Sequence, residues 1–461
     1  MSADVVVVGA GPAGLSAAIE LRRLGVGSVL VADREADPGG APRHCFHTGY
    51  GLRDLRRIMT GPAYARALAA AAQAAGAELR LGTTVTGWSS GLADPASGAA
   101  GAGGSYAVTM TSARGIETVH AAAVLLASGC RERPRAARLV PGDRPAGVMT
   151  TGELQQRVYL GRERLSGRAL VVGAEHVSFS AAVTLAHAGA RVVALVTEHE
   201  RQQSYAAFRV GAALRWRVPV WTGCAVRRIT GRGQLAGVEV ADLQTGAARF
   251  VPCSTVVFTG DWIPDHELAR QAGLAMDPGT RGPVVDTTLE TSAAGVFAAG
   301  NLVHAAETAD IAALSGRHAA RHIAAVLGAG SSGTRSPGAR SPGVRSPGAR
   351  SPGARSSGAR SSGVESWAGS RASRRPVLVE PPLAWISPNA ITAGRAAPPL
   401  GRFVLRSGEF RRGIRLEARQ DGRLLARSRQ VRLVPGRPAH LGAGWLARVD
   451  PAGGPVRVIV R

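Results

Sequence analysis

Asp4-Val5-Val6-Val7-Val8-Gly9-Ala10-Gly11-Pro12-Ala13-Gly14-Leu15 is the stretch that decides the fold. Val5 to Val8 read as a short buried strand, and Leu15 to Leu24 read as the helix that follows it. The glycine spacing between them has a mechanical meaning. Gly9 permits the tight turn, Gly11 lets a diphosphate approach bare backbone, and Gly14 lets helix and strand pack closely. The free N–H groups of the helix N-terminus then face the phosphates. Val29 to Ala32 form the next strand, and Asp33 ends it nineteen residues beyond Gly14, where a carboxylate can bond adenosine ribose hydroxyls. Pro12, Ala13 and Arg34 complete this nucleotide-binding set.

The same pattern restarts at Ala169, which makes the fold α/β with two Rossmann-like dinucleotide-binding domains. In this second turn Glu175 and Ser178 stand where the second and third glycines belong. Glu175 would put a side chain and a negative charge where a pyrophosphate needs bare backbone. The fold is therefore expected to be kept while NAD(P) binding, left open by the sequence, is lost or weakened. A first dinucleotide-binding domain is expected over residues 1–147 and 280–330, with the second inserted at 148–279. Arg-Ser-Pro-Gly recurs with period five from Arg335 to Arg350, so residues 331–375 read as a disordered linker with too little apolar surface to build a core. After it, short alternating strands and a Gln420-Asp421-Gly422-Arg423 turn indicate a small all-β sandwich or barrel over 376–461.

Composition narrows the function. The formal charge is +24, yet residues 1–330 carry 32 arginines against 26 acids, so most of the excess sits in the linker and tail. The chain has no lysine, and nucleic acid is not an expected partner. Cys45, Cys130, Cys224 and Cys253 form no CxxC pair, which argues against a dithiol centre, a zinc knuckle or an iron–sulfur cluster, and no metal is expected. No stretch supplies the roughly 20 apolar residues a transmembrane helix needs, and a cytoplasmic location is expected.

Further segments carry a resemblance. They are Gly39-Gly40-Ala41-Pro42-Arg43-His44-Cys45-Phe46-His47-Thr48-Gly49-Tyr50, Val124-Leu125-Leu126-Ala127-Ser128-Gly129-Cys130-Arg131-Glu132-Arg133, and Gly295-Val296-Phe297-Ala298-Ala299-Gly300-Asn301. Together with the first turn they resemble the pyridine-nucleotide-disulfide oxidoreductase superfamily, and within it the flavoprotein subunits of amino-acid, opine and glycerol-3-phosphate dehydrogenases. The resemblance implies that FAD is the first cofactor, touched by Gly40, His44, Ser128, Gly129, Gly300 and Asn301. Asn301 replaces the more usual Asp and can still bond a hydroxyl. The helix near Asp310 to Leu327 is expected to point its positive end at the flavin.

The segment after Gly40 is expected beside the isoalloxazine. A histidine titrating near neutrality suits proton abstraction from a substrate, so His47 is the first candidate base and His304 the second. Cys45 is a candidate redox thiol, and Arg131 or Arg133 could grip a substrate anion. The leading expectation is an FAD-dependent dehydrogenase, or a subunit of one, acting on a small amine, amino acid or polyol. Two alternatives stand beside it: an NAD(P)H-dependent flavin oxidase using Cys45, and a flavin-bearing assembly subunit without catalysis of its own. Both a homo- or hetero-oligomer and a partner dehydrogenase subunit are compatible with this reading.

Overall fold

Ser2–Val8 lies inside a seven-stranded sheet in the computed structural model, which describes residues 1–90, 106–205, 218–305, 307–328, 374–392, 394 and 396–461. Val29–Ala32 pairs with it in parallel on one side and Gly115–Leu126 on the other, with Val5 beside Val29 and Ala123. Both faces are covered, so Val5, Val6 and Val7 have no exposed surface, which is why this strand reads as a continuous apolar run. Val296–Ala298 adds to the far side of Gly115–Leu126. The ends of these three strands bring the first turn, Ser128-Gly129 and Gly300-Asn301 to one edge of the sheet.

The first helix spans Pro12–Arg23, starting three residues before the expected Leu15. Proline at its first position has a helix-ready φ and lacks only an N–H that would be unbonded there anyway. The helix Ala309–Val326 packs along it. Backbone approach at that contact is very close, because a Cβ on Gly316 would lie 2.0 Å from the Ala13 carbonyl oxygen.

The second domain holds a five-stranded parallel sheet in the order Val148–Thr150, Thr255–Phe258, Arg168–Val172, Arg191–Thr197, Val220–Thr222, beside a three-stranded antiparallel sheet. The chain crosses between the domains through the antiparallel pair Cys130–Glu132 and Trp262–Pro264. The borders thus differ from the expected 147/148 and 279/280. Gly142 and Ala146 already bridge to Ile229 and Gln234, and Ala269 and Leu274 are back in the first core. No sequence break marks these points, because the crossing strands are short and polar on both sides.

Most of the expected linker lies outside the described residues, but its last two positions, Arg374 and Arg375, already belong to the strand Arg374–Val379. The tail forms a five-stranded and a three-stranded sheet around one apolar core that includes Phe403, Leu405, Leu416 and Trp445. Asp421 and Gly422 both take positive φ, 47° and 80°, as a two-residue turn joining Arg411–Gln420 to Arg423–Leu433 requires. This domain is fastened to the first. Val285 N–H donates to Asn389 Oδ1 at 2.9 Å, and Thr392 Oγ1 donates to the buried Asp286 carboxylate at 2.7 Å. Arg374 lies 3.7 Å from Asp286 and 3.6 Å from Glu290. Among the described residues no helix is long and apolar enough to cross a membrane.

Gly316→Ala is expected to push the two packed helices apart and to cost about 1–3 kcal/mol. A lowered midpoint in urea unfolding of the variant measures it, and an unchanged midpoint would show that the helices do not approach as described.

Candidate functional site

At the first turn the glycines divide into two kinds. A Cβ on Gly9 would meet Ala127 O at 2.5 Å, and one on Gly14 would meet Gly9 O at 1.9 Å, so both are glycine to let backbone pack on backbone. A Cβ on Gly11 would have nothing within 4 Å, and the same holds for Gly129. These two glycines therefore face open space at the sheet edge, where a diphosphate needs room against the chain. Leu15 N–H makes the first intrahelical bond, to Gly11 O at 3.0 Å, which leaves the amides of Ala13 and Gly14 at the anion-attracting end of the helix.

Asp33 Oδ2 accepts from Ala10 N–H at 2.6 Å and Oδ1 from Glu35 N–H at 2.9 Å, so the carboxylate braces the turn and keeps further acceptor positions for a ribose. Arg34 points to solvent and to Asp265, 3.7 Å away. Gly40 takes a φ of 62° with its α-carbon side close against Gly11. The residues around this opening fit FAD in shape and in donor chemistry.

Other expected FAD contacts already have protein partners. Ser128 Oγ donates to Asp265 O at 2.8 Å. Asn301 donates from Nδ2 to Glu307 O at 3.2 Å and accepts Glu307 N–H at Oδ1, 3.0 Å, with one bonding position left on each amide atom. Arg131 pairs with Asp265 and, at 2.7 Å, with Glu267, while Arg133 pairs with Asp261 at 2.6 Å. Neither guanidinium is free to hold a substrate anion, so that expectation is corrected. The helix Ala309–Val326 carries Asp310 in its own first turn, bonded by Ile311 N–H at 3.0 Å, so part of its positive end is already neutralised.

The candidate chemical residues lie in three different settings. His44 is buried, its Nδ1 3.3 Å from Gln155 Oε1, and burial lowers its pKa, which keeps it neutral. Cys45 Sγ is 3.2 Å from the same oxygen, and burial pushes its thiol up to about 11, well away from a reactive thiolate. Gln155 in turn donates to Ser180 Oγ at 2.9 Å, so this cluster joins the two domains.

His47 is exposed beside Tyr50. Its Nδ1 lies 3.0 Å from Thr48 O, which places the hydrogen on Nδ1 and leaves Nε2 as the acceptor. His304 sits against Trp385 of the β domain, and its Nδ1 has no hydrogen-bond partner among the described residues. It lines a cavity of about 40 Å³ with Gly300, Ser315 and Arg402. Burial and the Arg406 charge lower its pKa to about 3, in place of the near-neutral value expected of it. Trp385 and Arg406 are distant in sequence, so nothing local to His304 gives this setting away.

The second turn is closed by its own acid. Glu175 caps the helix His176–Ala188: its carboxylate takes the N3 backbone N–H, and Ser178 Oγ accepts Glu175 N–H at 3.2 Å. Gln203 and Ser204 fold back to donate to Ala174 O at 3.0 and 3.2 Å, and the rings of Tyr205 and His176 stand 4.7 Å apart. Arg437 of the β domain lies 4.1 Å above the Tyr205 ring. The sequence marks Glu175 as a hostile charge; that it serves as a helix cap follows only from the three-residue spacing to Ser178. Burial and the neighbouring Glu132 carboxylate raise the Glu175 pKa to about 7.

Comparison with known proteins agrees with this architecture. The family model described as pyridine nucleotide-disulphide oxidoreductase matches residues 3–316. One of the two subunits' worth of relatives worth naming is an opine oxidase subunit of Agrobacterium tumefaciens, 27% identical over 335 residues, covering 69% of this chain and 64% of that protein. The chain thus spans less than two thirds of that relative's length. Ferredoxin–NADP reductase of Salinispora tropica is 30% identical over 305 residues, 65% of this chain and 85% of that one. Thioredoxin reductase of Lactococcus lactis superposes with a TM-score of 0.58 at 17% identity, over 70% of this chain and 99% of that chain, a likeness of fold alone.

A carboxyl whose pKa is raised on folding favours the protonated protein, so its contribution is full at pH values below the unfolded pKa and is lost as pH climbs through the folded one. Between about pH 4.5 and 7 the folded chain should therefore lose stability, and Glu175→Gln should remove part of that slope. Urea midpoints at several pH values decide it; parallel curves for parent and variant would place Glu175 in water.

Proposed function

The chain belongs to the pyridine nucleotide-disulphide oxidoreductase family, and from that premise we propose that it is an FAD-dependent dehydrogenase, or the flavin subunit of one, oxidising a small amine, amino acid or polyol. That it is a flavoprotein oxidoreductase comes with the family. The finer reading rests on one observation: the second glycine turn is capped by Glu175 and overlain by Gln203, Ser204 and Tyr205. Electrons then have no nicotinamide entry at that turn, and an organic substrate becomes their source.

FAD, when bound, supplies the two-electron acceptor. The chain's own part is to hold its diphosphate on the Gly11 backbone and the first helix end, and to take up the proton that the substrate releases. His47 is the side chain we assign to that proton, because its Nε2 is open as an acceptor while His304, with a pKa of about 3, is too weak a base. The four cysteines are free and the Cys45 thiol is held protonated, which supports a reaction without dithiol exchange. A partner that accepts the electrons, and residence in the cytoplasm, complete the proposal; the relative named as an opine oxidase subunit supports the first of these.

The competing reading is reduction of the flavin by NAD(P)H, which the likeness to a ferredoxin–NADP reductase favours. Anaerobic stopped-flow mixing of the FAD-loaded chain with NADH and with NADPH separates them. Negligible bleaching of the flavin within seconds is expected, whereas saturable bleaching would overturn the proposal. Once a substrate is found by screening flavin reduction, His47→Asn should slow reduction by a factor of about 10² to 10⁴ and flatten its pH profile.

A further inference from the structure

The β domain and the second dinucleotide domain enclose a cleft of about 670 Å³ that no part of the proposed reaction uses. Its floor is the carboxyl end of the second domain's sheet, at Val220 and Thr222, the side on which open α/β sheets receive ligands. Its far wall comes from the tail, beyond the residues that match the family.

The charges in this cleft do not balance. Arg412 and Arg432 face each other directly across the antiparallel pair Arg411–Gln420 and Arg423–Leu433. Like charges in that position repel and destabilise the sheet. Arg437 stands near them, and burial together with the Arg432 charge lowers its pKa. None of the three has an acidic partner among the described residues, since the ion pairs there are Arg201 with Glu200 and Arg411 with Glu409. Phe410, Val218 and Leu433 add an apolar surface, and Arg201 lies over the Phe410 ring at 4.7 Å.

We propose that this cleft binds a small molecule carrying a diphosphate, with Arg412, Arg432 and Arg437 as its ligands. Planar guanidiniums converging on one point match phosphate oxygens in pairs, and the anion removes the repulsion that the sheet carries without it. The volume lies in the range of a nucleotide-sized ligand. The apolar wall beside Phe410 can then take a base.

Thermal unfolding of the full chain, saturated with FAD and held at fixed ionic strength, tests this with sodium pyrophosphate, ADP and ATP as probes. The parent should be stabilised by at least one of them, and Arg412→Ala and Arg432→Ala should each weaken that binding about tenfold or more. Without ligand both variants should unfold no earlier than the parent, because each removes a like-charge contact. Equal binding of all three probes would make the diphosphate the whole determinant, and stronger binding of ADP and ATP would make the source a nucleotide. The proposal fails if no probe stabilises the parent, if both variants bind as the parent does, or if only an acidic polypeptide such as polyglutamate stabilises it. None of these outcomes bears on flavin reduction, so the dehydrogenase reading stands or falls separately.

Discussion

Backbone touching backbone at the first helix is the contact on which the rest of this molecule depends. Gly14 lets that helix lie on the strand it follows, and Gly316 lets the last helix of the domain lie on Ala13. Any side chain at either position would lift a helix off the sheet, since packed interiors absorb extra atoms poorly. Because both contacts are made at the same end of the helix, that end is fixed to the strands carrying Ser128-Gly129 and Gly300-Asn301. An opening beside Gly11 is what this packing leaves uncovered.

The two domains treat the same structural device in opposite ways. In the first, the helix end is left bare for an anion. In the second, Glu175 brings the anion along as part of the chain, and the capping box satisfies the free amides from within. A carboxyl held there near Glu132 is costly in its ionised form, which is why its pKa rises. The tail reinforces the closure by laying Arg437 over Tyr205. Through Asp286, Asn389 and Thr392 that tail is anchored to the first domain, so it bears on both units at once.

Much of this was legible in the sequence. The run of valines, the spacing of Gly9, Gly11 and Gly14, and the placement of Asp33 are local patterns, and the strand, turn and helix they imply are present. Asp421-Gly422 likewise announced its hairpin, because only a few residues accept two successive positive φ values. What escaped was the consequence of distant contacts. His304 lost its basicity to Trp385 and Arg406, Arg131 and Arg133 were claimed by Asp265, Glu267 and Asp261, and the crossing at Cys130–Glu132 left no mark in composition. Residue type fixes what a group can do, and only its neighbours decide whether it is free to do it.

Since Gly11 faces open space in the protein alone, a side chain there should disturb only what comes to fill that space. Equilibrium binding of FAD to the parent and to Gly11→Val, each with its thermal unfolding measured before FAD is added, therefore tests the central claim. The account predicts that the parent takes up one FAD per chain and that the variant unfolds like the parent yet binds FAD at least a hundredfold more weakly, about 2.7 kcal/mol. Equal affinity in the two proteins, or a well-folded parent that takes up no FAD, would contradict it.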